Sequence, residues 1–174
     1  LLVTHHPLTL DLERSQKDFA ALVEALDAFA DAGVIITMPN ADTGGAQIRQ
    51  MIERFCAERL DTTRSVISLG TQRYFSLLRE VDAVVGNSSS GLIEAPSFGV
   101  GTVNIGDRQK GRLTGPTVLT VEAEAGAIEG AIRQVLSDAF RAEAKAAENP
   151  YGDGRTADRI CRIIENFSFP LSLQ

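Results

Sequence analysis

Apolar positions change their spacing repeatedly along this chain, and each change marks an element. Leu1-Leu2-Val3 is a short apolar run that stops at Thr4-His5-His6-Pro7, which predicts a strand entering a loop. Between Ser15 and Ala32, residues Phe19, Leu22, Val23, Leu26, Phe29 and Ala30 recur at helical spacing, and Gly33 is a fitting stop. Val34 to Met38 is apolar on both faces and β-branched, as a strand covered by helices on each side requires. The alternation continues through a helix carrying Ile48, Met51, Ile52 and Phe55 and a strand at Ser65 to Leu69. A helix opening at Gly70-Thr71, with Tyr74, Leu77 and Leu78 on one face, leads to a strand at Ala83-Val84-Val85. Gly86 to Gly91 reads as a loop, followed by a short helix to about Phe98. Two further strands follow, Thr102–Ile105 and Val118–Val121, then two closing helices at roughly 123–139 and 155–166. The last seven residues, Ser168 to Gln174, lack helical patterning.

Strand and helix in strict alternation with short connections predict a doubly wound parallel α/β domain, Rossmann-like, over residues 1–167 with a tail at 168–174. Ligands of such sheets bind beyond the carboxyl ends of the strands. The unusual polar clusters fall there: His5-His6-Pro7, Asn40-Ala41-Asp42, Gly70-Thr71 and Gly86 to Gly91.

Composition narrows the functional classes. The net charge is -6 with a pI near 4.9, and no block of Lys and Arg interrupts it, which argues against nucleic acid or an anionic membrane as partner. Any anion must be caught by a few placed groups. Cys56 and Cys161 show no CxxC spacing, so neither a disulfide framework nor a structural zinc is expected. Two adjacent histidines without a third ligand are a weak metal signal, and no metal or cofactor is expected. No apolar run reaches the length of a membrane span, and a cytoplasmic location is the expectation. The chain opens without Met and already inside a strand, as expected of a piece of a longer protein.

The chemistry concentrates in Gly86-Asn87-Ser88-Ser89-Ser90-Gly91-Leu92-Ile93-Glu94. Small residues turn a strand into a helix start, where free N–H groups favour an anion and serine hydroxyls add donors. An ordinary N-cap accounts for one serine, not for three in a row. No GxGxxG follows the first strand and no GxxxxGK[ST] occurs, so dinucleotide and P-loop chemistry are disfavoured. A carboxylate at Glu94 would repel a phosphate but suit a ribose diol, whose hydroxyls both donate. The alternative is a first-turn acid that complements the helix dipole. Arg108-Gln109-Lys110-Gly111-Arg112 is the dense basic cluster, able to neutralise a diphosphate or to stand as a solvated loop.

These motifs, in this order, resemble the C-terminal domain of the hydrolysing UDP-N-acetylglucosamine 2-epimerases of the sialic-acid branch. The resemblance runs through His6-Pro7, Pro39-Asn40-Ala41-Asp42, Gly86 to Glu94, Asn104 to Arg112 and Tyr151-Gly152-Asp153-Gly154. It implies the second half of a GT-B-type fold, two facing doubly wound domains with UDP held by this one. His6, Asn40, Ser88, Ser89, Glu94 and Arg108 match family positions that contact the nucleotide. In that picture Ser88, Ser89 and the helix start, with Ser90 beside them, hold the diphosphate. Glu94 holds the ribose, and Leu69 and Gly70 lie near the uracil. The implied reaction eliminates UDP from UDP-N-acetylglucosamine to give a glycal. Water then adds with inversion at C2, yielding N-acetylmannosamine. His6 is the one candidate here for a role in catalysis, the main acids and bases being expected on the N-terminal domain. That domain, UDP, UDP-N-acetylglucosamine and a homo-oligomeric partner are the expected partners. The alternatives are a GT-B glycosyltransferase domain and a non-catalytic module that binds a UDP-sugar. Gly101 departs from the resemblance, standing where the family usually carries proline, and is expected to loosen the strand entrance.

Overall fold

The computed structural model describes residues 1–8, 11–39 and 45–167. Six parallel strands form one sheet: β1 (Leu2–Thr4), β2 (Val34–Thr37), β3 (Thr63–Val66), β4 (Ala83–Gly86), β5 (Gly101–Ile105) and β6 (Val118–Val121). Their spatial order is β3-β2-β1-β4-β5-β6, the doubly wound order, which reverses between β1 and β4. In register, Val3 lies beside Ile36 on one side and Val85 on the other.

Alternation along the strands splits the core in two. Val3, Ile36, Val85, Val103 and Ile105 face α1 (Leu12–Leu26), α2 (Gly45–Glu58) and α5 (Ala125–Val135), with Phe19, Leu22, Ile48, Ile52, Ile128 and Ile132 filling the layer. Leu2 and Val84 face the opposite way, against Leu78 of α3 (Gly70–Leu78) and Ala95 beyond α4 (Ser90–Ile93). Strands sandwiched between helices need apolar residues on both faces, which is why they read as continuous runs.

Three elements depart from the expectation. The first helix ends at Leu26, and Asp27–Phe29 continue as a 3₁₀ turn. The third strand occupies Thr63–Val66 rather than 65–69, because Ile67 and Leu69 line a cleft instead of joining the sheet. The helix expected at 123–139 is two: α5, then α6 (Asp138–Ala146), separated where Ser137 caps α6 by accepting from the Phe140 N–H. Phe140 of α6 also accounts for Gly101. A Cβ on Gly101 would lie 2.9 Å from both Phe140 Cε1 and Val135 Cβ. The strand entrance is therefore closely packed by an aromatic ring, not loosened, and a larger residue there has no room.

The last helix, α7 (Thr156–Asn166), buries no residue, and its Ile160, Ile163 and Ile164 are 50%, 66% and 63% exposed. No helix of the described residues is long and apolar enough to cross a membrane.

Candidate functional site

The strand order reverses between β1 and β4, so the loops after these two strands part and leave a crevice. Gly86 makes the exit from β4 possible. Its φ of +138° and the 2.0 Å approach of Thr4 O to where a Cβ would sit leave space for glycine alone. The chain then meets the β1 loop through a reciprocal pair. His6 N–H donates to Asn87 Oδ1 at 2.7 Å, and Asn87 Nδ2 donates to the His6 carbonyl at 2.9 Å. The Asn87 carbonyl in turn accepts from Arg108 at 3.0 Å and from the buried Gln109 Nε2 at 2.7 Å. Asn87 thus joins three loops, and Arg14 holds the third of them through a two-pronged contact with Asp107, at 3.0 and 3.3 Å.

The crevice opens into a cleft of about 340 Å³ lined by His6, Leu69, Gly70, Ser88, Ser90 and Glu94, together with Thr4, Thr37, Ile67 and Tyr74. Six of the nine predicted site residues therefore meet at one cavity. Ser89 and Arg108 do not line it, but both adjoin it through the Asn87–Ser90 turn. Asn40 lies outside the described residues, as does Asp42.

The serine turn is built for an acceptor. The main-chain N–H groups of Ser88 and Ser89 donate to no acceptor among the described residues, while Gly91, Leu92, Ile93 and Glu94 return theirs to Ser88, Ser89 and Ser90 carbonyls. Ser89 stands at the N-cap of α4 without a side-chain cap bond, and Ser88 Oγ accepts from the Ser90 N–H, so local capping accounts for one serine of the three. Because α4 is a single turn, the donors themselves, rather than a long helix dipole, give this turn its attraction for anions.

Glu94 is placed differently from the first-turn acid considered above. It is the C-cap of α4 and the N-cap of the 3₁₀ turn Ala95–Phe98 that follows, without a side-chain cap bond there. Its Oε2 is buried without a hydrogen-bond partner. Burial pushes the carboxyl above its ordinary range, partly offset by a main-chain hydrogen bond. A half-buried carboxylate lining a cleft, with acceptor capacity unused among the described residues, can take donors from a ligand.

His5 does not join the site. It is 1% exposed against Phe19, with ring centroids 5.6 Å apart, and neither ring nitrogen has a partner among the described residues. Burial, then the neighbouring His6 and Arg108, lower its pKa to about 4, so the ring is neutral. Lys110 and Arg112 line a separate depression with Asn104 and Thr120, so the basic cluster is divided and Arg108 alone reaches the serine turn. Asn87, Gln109 and Tyr74 were not singled out as site residues from the sequence. Their partners lie 16 to 81 residues away, and no local spacing encodes such pairs.

The family model of UDP-N-acetylglucosamine 2-epimerase matches residues 1–165. The chain belongs to this epimerase family. It is 36% identical over 140 residues to the GDP/UDP-N,N'-diacetylbacillosamine 2-epimerase (hydrolyzing) of Campylobacter jejuni, a match that covers 80% of this chain and 36% of that protein. It is 35% identical over 167 residues to the polysialic acid biosynthesis protein P7 of Escherichia coli, covering 95% of this chain and 42% of the relative. The chain thus spans well under half the length of these family members. Its fold matches that of the UDP-GlcNAc 2-epimerase from Neisseria meningitidis, solved bound to UDP-GlcNAc. The TM-score is 0.69 at 15% identity, over 95% of this chain and 44% of that one.

Proposed function

We propose that this chain is the UDP-binding half of a hydrolysing UDP-N-acetyl-sugar 2-epimerase, converting UDP-N-acetylglucosamine and water to N-acetylmannosamine and UDP. The observation that carries the assignment is the half-buried Glu94 carboxylate lining the same cleft as the serine turn, where the Ser88 and Ser89 amides donate to no acceptor among the described residues. A carboxylate and a nest of donors beside one cavity match a ribose diol followed by a diphosphate. Leu69 and Gly70 then bound the uracil end, and His6 and Arg108 stand on the diphosphate side.

The chemistry asked of this half is electrostatic. As the C1–O bond breaks, its electron pair goes to UDP, while a base on the other side of the cleft takes the C2 proton. Donors already fixed at the phosphates stabilise the charge that develops there without reorganising. Asp107 lines the separate depression with Lys110 and Arg112 and is paired with Arg14, so it does not serve this cleft. The proton-transfer groups are assigned to an N-terminal domain, for which the length of the relatives leaves room. The uncovered apolar face of α7 supports an additional packing partner of this kind. A role in amino-sugar metabolism of the sialic-acid type follows from the same assignment.

Turnover of the full-length parent with a panel of UDP-sugars tests this function. Release of UDP together with a 2-epimerised N-acetyl sugar supports it. Transfer of the sugar to an acceptor with no epimerised product would show a glycosyltransferase instead.

A further inference from the structure

The hydroxyl of Tyr74 has no part in the site as assigned above, yet it reaches the serine turn. Tyr74 comes from α3, with its ring packed in the second core layer beside Leu78 and Ala95. Its hydroxyl is hydrogen-bonded to Ser90 Oγ. Ser88 Oγ in turn donates to Ser90 Oγ at 3.5 Å and accepts from the Ser90 N–H at 3.4 Å. Three hydroxyls thus form a chain from the core to the wall of the cleft.

We propose that Tyr74 is a positioning residue that sets the Ser90 hydroxyl as a donor toward a bound diphosphate. This inference rests on the reading of the cleft as a UDP site. Its logic is a count of protons and lone pairs. Each hydroxyl carries one proton and can accept two bonds. When Tyr74 donates to Ser90 Oγ, it fixes the serine oxygen as an acceptor on the protein side. Ser88 donates to the same oxygen, so the Ser90 proton is left to point into the cleft. Burial holds the phenol proton in place by raising its pKa, the bond to Ser90 opposes this, and the nearby Glu94 charge reinforces it. Tyr74 therefore keeps a proton that it can give to Ser90 Oγ. A phosphate offers only acceptors, so an arrangement biased toward donation suits it, whereas uridine offers nothing at this end of the cleft.

The test is titration calorimetry of the chain and of Tyr74→Phe, Ser90→Ala and the double variant, each with UDP and with uridine. Tyr74→Phe keeps the ring in the core and removes only the oxygen. UDP affinity is expected to fall on the order of five- to tenfold, the size of one neutral hydrogen bond, with uridine affinity unchanged. Ser90→Ala is expected to lose a similar factor. In that background Tyr74→Phe should cost nothing further, since the two hydroxyls act in series. Unchanged UDP affinity in Tyr74→Phe overturns the inference. An equal loss for uridine, or an undiminished Tyr74→Phe effect in the Ser90→Ala background, overturns it too. If the unaltered chain binds no UDP, the assignment of the cleft falls with it; if it binds UDP and only the Tyr74→Phe effect is missing, the assignment stands.

Discussion

Replacing Glu94 by glutamine separates binding from stability. In the ligand-free domain the carboxylate is half-buried with one oxygen unpaired, and burial raises its pKa above the ordinary value of 4.5. A raised acid pKa means that the folded state holds the proton longer than the unfolded state. The carboxylate therefore costs stability as pH rises through its folded value, and none of this cost remains well below 4.5. At neutral pH Glu94→Gln removes a partly desolvated charge, so the free domain should melt at the same temperature or slightly higher. The gain is small, because the group keeps contact with water. With UDP the sign reverses. A charged acceptor for ribose hydroxyls is worth about 1–2 kcal/mol more than a neutral amide, so Kd should rise roughly 5- to 30-fold. Titration calorimetry with UDP and 2′-deoxy-UDP reads both parts. The unaltered chain should prefer the ribonucleotide, and the variant should lose most of that preference. An unchanged UDP affinity together with a lowered melting temperature would refute the ribose role and leave Glu94 as a structural acid.

Other residues give separate expectations. His5 has its pKa lowered from 6.5 to about 4, so the unfolded chain binds its proton first, and stability should fall as pH drops from 6.5 toward 4. The full loss is about 3 kcal/mol, and His5→Leu should flatten that part of a urea-denaturation pH profile while costing little at pH 7, since no hydrogen bond is removed. A profile unchanged by His5→Leu would contradict this. Gly101→Ala places a methyl against Phe140 and Val135 and should destabilise by about 1–3 kcal/mol, with partial rescue by Phe140→Leu; wild-type stability in Gly101→Ala would show that the helix yields freely.

The sheet was legible because parallel strands buried on both faces cannot avoid continuous apolar runs, as Val34–Thr37 and Gly101–Ile105 show. Where such a run outlasts its strand, the surplus marks the cleft: Ile67 and Leu69 follow β3 and line the cavity. Helix α6 escaped notice because it buries only Phe140 and Ala144, too few large residues to set a helical period, although Ser137 already supplied its cap. At the site, Ser88, Ser90 and Glu94 stood out by type and spacing. Asn87 and Tyr74 did not, because their roles come from partners brought together by the crossover between β1 and β4.

The most direct measurement is the affinity of the 174-residue chain for UDP beside that for UMP. If the free amides of Ser88 and Ser89 and the hydroxyls beside them address the diphosphate, UDP binds more tightly than UMP, by on the order of tenfold for the added charge-assisted bonds. Equal affinity for the two nucleotides would contradict the account, because it would remove the diphosphate from the serine turn.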